Sequence, residues 1–271
     1  ILKANCEILC ISEDDDTTEL SKITDFRIDE SAIVDTTHSS EQKPERNLIL
    51  GCNRFLPPVI RELDDYVPPG SKLLLAAEVQ EEELIDCKRR AGLKNHQLEF
   101  IKGDTGDRRF LETLPFAEFD NILILPHNPK ESEDYEAVDA TTIKTLVYVR
   151  DIAKKKGFEL SLTTEMLLEE SRSVADVGEL GDFVVGDEII GRIIAQLAEE
   201  HRLRAVFRVL LTVEGSEIYL RPAKDYVLLN KAVNGYTILE GARRRGEIFI
   251  GYIRKKDIRV NPRKSHTVSL G

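Results

Sequence analysis

The sequence predicts an α/β fold: a Rossmann-type parallel sheet, then a helix pair, then a small α+β C-terminal lobe. Three observations carry this. From Asn47 onward, strand-length apolar runs alternate with stretches of helical spacing. The first run, NLILG (47–51), passes directly into a glycine turn. After residue 186 the alternation stops and two helical patterns follow one another.

The elements follow in order. EILCI (7–11) is a short apolar run that reads as a strand ending at EDDDT. Cys6 and Cys10 share one face of it, which makes them small core side chains. Residues 27–46 are polar and Ser/Thr-rich, the composition of a linker. NLILG is the first buried strand. Residues 55–66 carry Phe55, Val59, Ile60 and Leu63 at helical spacing, with Pro57 and Pro58 tolerable only in a first turn. KLLLAAEV (72–79) is the second strand. EEELIDCKRRAG (81–92) begins acidic, ends basic and stops at Gly92, as a helix dipole sorts charge. LEFIKGD (98–104) and NILILPH (121–127) are the third and fourth strands, and residues 133–150 form a helix. ELSLTTEML (159–167) and DFVVG (182–186) complete six strands. Apolar strands in repeated β-α units imply a parallel sheet covered on both faces.

DEIIGRIIAQLAEEH (187–201) is an amphipathic helix whose stripe is Ile189, Ile190, Ile193, Ile194 and Leu197. A second helix begins at Leu203. Beyond it come SEIYLRPA (216–223), a mixed segment to Gly246, and the strands EIFIGYI (247–253) and DIRVNP (257–262). The division is therefore 1–46, the end of a preceding module plus linker; 47–186, the α/β lobe; 187–213, the helix pair; and 214–271, the small lobe.

Bulk composition excludes some functions. The 271 residues carry a net charge of −11, which disfavours nonspecific attraction to nucleic acid or anionic lipid. Charge is uneven: residues 1–46 hold five basic and twelve acidic side chains, residues 241–264 nine and two. That asymmetry suits either head-to-tail contacts between copies or two solvated stretches. No apolar run approaches the roughly 18 residues of a membrane span. The chain begins at Ile1 inside an apolar pattern, so it reads as a piece of a longer protein. Four cysteines without C-x-x-C spacing and scattered histidines assemble no local zinc site.

The candidate cofactor site lies where the strands end. A dinucleotide cradle needs glycines after the first strand, so that backbone N–H groups reach a pyrophosphate. Here Gly51 is followed by Cys52, Asn53, Arg54, Phe55, Leu56 and Pro57, so only the first glycine is present. Arg54 could meet a phosphate by charge. Glu78 ends the second strand, as a ribose-binding acid or an ordinary carboxylate near a helix. Asp104 and Thr105 end the third, facing a base or ribose edge, or with the aspartate capping the next helix. The missing glycines argue against NAD. His127 follows the fourth strand, where it is a hydride-transfer residue or simply solvated. EDDD (13–16) and ESEDYE (131–136) with Asp139 are acidic clusters, as metal ligands or as solvated surface; neither has the spacing of a calcium loop. No motif of a hydrolase, P-loop or zinc protease is present.

Four stretches have distinctive wording: LDDYVPPGSKLLL (63–75), LPFAEFDNILIL (114–125), EEHRLRAVFRVLLTVEGSEIYLRPAKDYV (199–227) and GEIFIGYI (246–253). Through them the chain resembles the CASTOR/POLLUX ion-channel family over about 47–262. More closely, it resembles the second cytosolic RCK domain (regulator of K+ conductance) of those channels. The resemblance implies a non-enzymatic gating-ring domain of a tetrameric cation channel, sensing a ligand such as Ca2+. It implies other RCK domains of the same channel as partners and a pore domain outside this chain. It also implies that residues 187–201 cross over to a partner domain, making Ile189, Ile190, Ile193, Ile194 and Leu197 an oligomer interface; packing within its own lobe is the alternative. Gating-ring domains of this type lose the glycine fingerprint, so Gly51, Asn53 and Arg54 become architecture. An NAD(P)-dependent oxidoreductase and a nucleotide-sensing transporter regulator are the competing readings.

Overall fold

The computed structural model describes residues 9–12, 22–35, 43–128, 133–171, 183–212, 215–254 and 257–270. They fall in two units, Glu41–Ile218 and Ile1–Ser40 together with Tyr219–Gly271. In the first, the chain builds β1 (Arg46–Leu50), α1 (Leu56–Tyr66), β2 (Ser71–Ala77), α2 (Glu81–Ala91), β3 (His96–Lys102), α3 (Arg108–Glu112), β4 (Asn121–Ile124), α4 (Tyr135–Lys156), β5 (Leu162–Met166) and β6 (Phe183–Val185). The six strands pair in the order β3-β2-β1-β4-β5-β6, and every pairing is parallel. This is the strand order of a doubly wound dinucleotide-binding fold, with its switch point between β1 and β4.

Alternation along β1 explains the layers. Leu48 and Leu50 point into a core with Leu111, Phe116, Leu146, Val149 and Ile152, the α3/α4 side. Ile49 points the other way, to Leu56, Ile60, Leu73, Leu75 and Cys87, the α1/α2 side. A strand buried on both faces is a near-continuous apolar run, here Leu48–Leu50. Helix ends follow local chemistry. Pro57 and Pro58 sit in the first turn of α1. Gly92 at φ 64° and Gly157 at φ 77° close α2 and α4, with basic residues in both last turns.

The amino edge of the sheet is held by a buried polar chain. Asp64 of α1 accepts the N–H groups of Lys94 (2.6 Å), Asn95 (3.1 Å) and His96 (2.6 Å). Burial pushes its carboxyl up, but those three N–H groups and the His96 ring outweigh burial and hold it below the usual range. An ionised Asp64 only accepts, so His96 donates Nδ1–H to it (3.1 Å) and receives Asn47 Nδ2 at Nε2 (3.1 Å). Asn47 in turn accepts from Asn121 Nδ2 (3.1 Å). The chain links α1 and β3 to β1 and β4.

After β6 come α5 (Gly186–Glu199) and α6 (Leu203–Leu210). The second unit contains β7 (Ala232–Asn234), α7 (Gly235–Arg243), β8 (Gly251–Arg254), β9 (Asp257–Val260) and β10 (Thr267–Ser269), with antiparallel pairs β7–β10 and β8–β9. Its core joins Val227, Val233, Ile238 and Leu270 to Ala32, which comes from the stretch read as linker.

Five expectations need correction. Residues 9–12 carry no strand, and Leu9, Cys10 and Ile11 are exposed; among the described residues no strand pairs with them, so apolar content alone does not make a ladder there. Cys10 is therefore not a core side chain, and Cys6 lies outside the described residues. Residues 26–35 are docked rather than linker-like. The mixed segment contains α7, whose N-cap is Asn234 accepting from Thr237 N–H. β8 starts at Gly251 and not at Glu247.

The Asp64–His96 pair sets a pH dependence. Burial lowers the His96 pKa from 6.5, with Asp64 only partly offsetting it, and the Asp64 pKa also lies below its ordinary 3.8. Both folded values are depressed, so the unfolded chain binds more protons as pH falls. Stability is complete above about pH 6.5 and is lost on acidification through the folded values. The urea midpoint should fall between about pH 7.5 and 5.5, and less so in His96→Gln. Asp64→Ala, which strands three N–H groups, should cost about 3 kcal/mol in the same titration.

Candidate functional site

The carboxyl edge of the sheet, at the β1/β4 switch point, is where a ligand would sit in this architecture. Gly51 stands there at φ 95°, its N–H bonded to Ala76 O (2.9 Å). A Cβ at this position would lie 2.1 Å from Leu125 O. The glycine is thus required by the approach of β1 to the chain leaving β4.

Four N–H groups between Arg54 and Val59 are engaged within the chain. Arg54 N–H donates to Asn128 Oδ1 (3.1 Å), Phe55 N–H to Asn53 Oδ1 (2.9 Å), Leu56 N–H to Asn53 O (3.1 Å) and Val59 N–H to Phe55 O (3.0 Å). Pro57 and Pro58 have none. Arg54 lays its guanidinium over the Phe55 ring, 4.7 Å from the centroid. Asn53, buried, donates from Nδ2 to Glu165 Oε2 (2.9 Å).

Glu165, on β5, is the residue that sequence reasoning missed. It is half-buried between Thr164 and Met166, both buried. Burial pushes its carboxyl pKa up, against the Asn53 hydrogen bond and the Arg54 charge, with Asp139 adding to the rise. Asp139 is fully buried and accepts the N–H groups of Leu167 (2.9 Å) and Leu168 (3.0 Å). The edge thus gathers Asn53, Arg54, Asp139 and Glu165 around one turn.

The other expected residues lie along the same edge without joining them. Glu78 is exposed just past β2. Asp104 Oδ1 accepts Gly106 N–H (2.7 Å), a local turn contact, and Thr105 O accepts Thr145 Oγ1–H from α4 (3.0 Å). Asp107, not Asp104, caps α3. His127 Nε2 pairs with Glu133 Oε2 (2.8 Å), so the loop histidine has a carboxylate partner. Of the acidic clusters, 13–16 and 131–132 lie outside the described residues. Glu133 engages His127, and Asp134 caps α4 through Ala137 N–H. Among the described residues, no group of three His, Cys, Asp or Glu is placed to hold a metal ion.

α5 presents the isoleucine stripe outward. Ile189 is 46% exposed, Ile190 50% and Ile194 61%, with Ile193 and Leu197 half-buried. Neither α5 nor α6 contains a buried residue, and Val209, Leu210 and Leu211 beside them are also exposed. The exposed apolar side chains thus lie on two helices consecutive in the chain. Among the described residues, no helix is long and apolar enough to cross a membrane.

No protein-family model matches the chain. It is 29% identical over 285 residues to "Probable ion channel POLLUX" of Arabidopsis thaliana, covering 93% of this chain and 34% of that one. "Probable ion channel CASTOR" of Oryza sativa subsp. japonica is 29% identical over 292 residues, with 93% and 32% covered. "Ion channel DMI1" of Medicago truncatula is 28% identical over 286 residues, with 93% and 32% covered. The chain thus spans about a third of the length of the curated relatives it matches. Among solved structures, the human SLO3 gating ring aligns with TM-score 0.55 at 14% identity, over 83% of this chain and 42% of that one. The sequence resemblance to CASTOR and POLLUX channels is borne out along nearly the whole chain, and the gating-ring likeness is one of fold.

Two substitutions separate architecture from ligand binding. Gly51→Ala should destabilise the chain by about 3 kcal/mol in urea, from the Leu125 contact and the positive φ together. Glu165→Gln should raise the melting temperature at neutral pH by about 2 °C. The folded pKa of Glu165 is raised, so its ionised form opposes folding; the gain should shrink as pH falls toward 4.5, the ordinary value.

Proposed function

We propose that this chain is a cytosolic regulatory domain of a CASTOR/POLLUX-like cation channel, a second RCK module of a gating ring. It senses a ligand, with Ca2+ as the first candidate, and couples it to a pore that lies outside this chain. The observation that carries the reading is the uncovered α5/α6 surface in a chain similar to ion channels over 93% of its length. Isolated, such a surface is unfavourable; against another RCK domain of the same channel it is a buried seam.

The switch point supports a regulatory role over catalysis. At the β1–α1 turn, four N–H groups are engaged within the chain and two positions are proline. Phosphate binding there would have to break contacts that hold the turn. A gating ring needs no bond chemistry. It needs a ligand that binds one arrangement of the lobes better than the other. Equal binding to both would shift nothing. Coupling repeated around a ring multiplies a modest difference at each site.

Light scattering and thermal melting of the 271-residue chain, with Ca2+, Mg2+, NAD and ATP added in turn, test this. The expected result is concentration-dependent self-association that Ile190→Asp with Ile194→Asp abolishes, and a Ca2+-dependent shift in melting or assembly. A monomer inert to every addition would sink the proposal. A melting shift with NAD or ATP, lost in Glu78→Ala or Asp104→Ala, would favour a nucleotide-sensing regulator instead.

A further inference from the structure

Residues 26–35 precede the parallel sheet in sequence but pack on residues that follow it. Ala32 is fully buried among Val227, Val233, Ile238 and Leu270. Leu228 N–H donates to Ala32 O (2.9 Å), Val34 N–H donates to Tyr226 O (3.0 Å), and Ile33 bridges Val227 in antiparallel fashion. Asp29 N–H donates to Thr237 Oγ1 (3.1 Å), and Asn234 Nδ2 to the carbonyls of Phe26 and Arg27 (3.0 Å each). Ion pairs flank these contacts: Lys231 with Asp29 (2.6 Å), and Arg244 with Glu30 and with Asp35 (3.3 Å). Arg245 donates to Val34 O (2.7 Å). In chain order, the whole β-α unit is therefore an insertion between two segments of one smaller unit.

We propose that residues 26–35 are a releasable strap, docked and undocked in an equilibrium separate from the unfolding of the parallel sheet. Docked, the strap joins the chain ahead of residue 26 to the C-terminal unit; undocked, it frees it. Its regulatory purpose rests on the function proposed above, while its existence rests on these contacts alone. Two apolar side chains, Ala32 and Ile33, are its buried anchors. The charged contacts are partly exposed, individually weak and screened by salt. A segment held this way opens at lower free energy than strands buried on both faces.

Hydrogen–deuterium exchange on the 271-residue chain reads this directly at Val34 and Leu228, whose amides are bonded only in the docked state. Arg244→Ala should speed exchange there roughly five- to thirtyfold, leaving β1, β2 and β4 unchanged. Lys231→Ala and added salt on the unaltered chain should act in the same direction, and they carry the test if Arg244→Ala folds poorly. Exchange at Val34 and Leu228 that ignores all three changes, or rises only together with the sheet, would overturn the strap. No ligand or partner enters this measurement, so failure of the assembly experiment would leave its outcome intact.

Discussion

The close passage of Gly51 against the Leu125 carbonyl is the constraint from which the sheet's carboxyl edge follows. β1 lies at the centre, paired with β2 on one side and β4 on the other, and its side chains fill both cores. With no room for a Cβ at Gly51, the chain turns there at positive φ and enters α1 through Asn53. Asn53 then holds the turn from both ends of its amide, to Phe55 N–H and to Glu165. A glycine that looks like the relic of a phosphate cradle is accounted for by strand packing alone.

The two edges of the sheet are built differently. At the amino edge, Asp64 is ionised and fully provided with donors, so its charge supports folding. At the carboxyl edge, Glu165 is half-buried with one hydrogen bond and an acidic neighbour, so its charge opposes folding. A carboxylate thus favours folding at one edge and opposes it at the other. Such local conflict is tolerated where a fold keeps a site open to change.

The alternating strands and helices of residues 47–186 were legible because β1, β2 and β4 carry runs of apolar side chains and the longer helices carry a stripe or a glycine stop. What was not legible depended on partners distant in sequence. EILCI looks like a strand, but a strand needs a ladder, and among the described residues none meets residues 9–12. Residues 26–35 look like linker because their anchors are two modest apolar side chains, and their partners come some 200 residues later. α7 is short and begins with a glycine, so its period is weak; Asn234 with Thr237 was the cue. Asp107, three residues beyond Asp104, caps α3, because Asp104 instead accepts Gly106 N–H in the turn before it. Glu165 was invisible because nothing local links it to Asn53, 112 residues earlier.

The helix pair makes the case for assembly on energetic grounds. α6 has eight residues, below the length at which an isolated helix holds together in water. Most helices of that size persist by burying one face, yet neither α6 nor α5 buries a side chain here. Intrahelical pairs such as Arg192 with Glu188 contribute only a few tenths of a kcal/mol each. Local chemistry therefore leaves the pair short of what its apolar stripe would gain against a matching surface, about 25 cal/mol for each Å² covered. A neighbouring copy that supplies that surface would stabilise the helices and the contact together. Under the proposed assembly, covering that surface and ordering the helices would be one equilibrium.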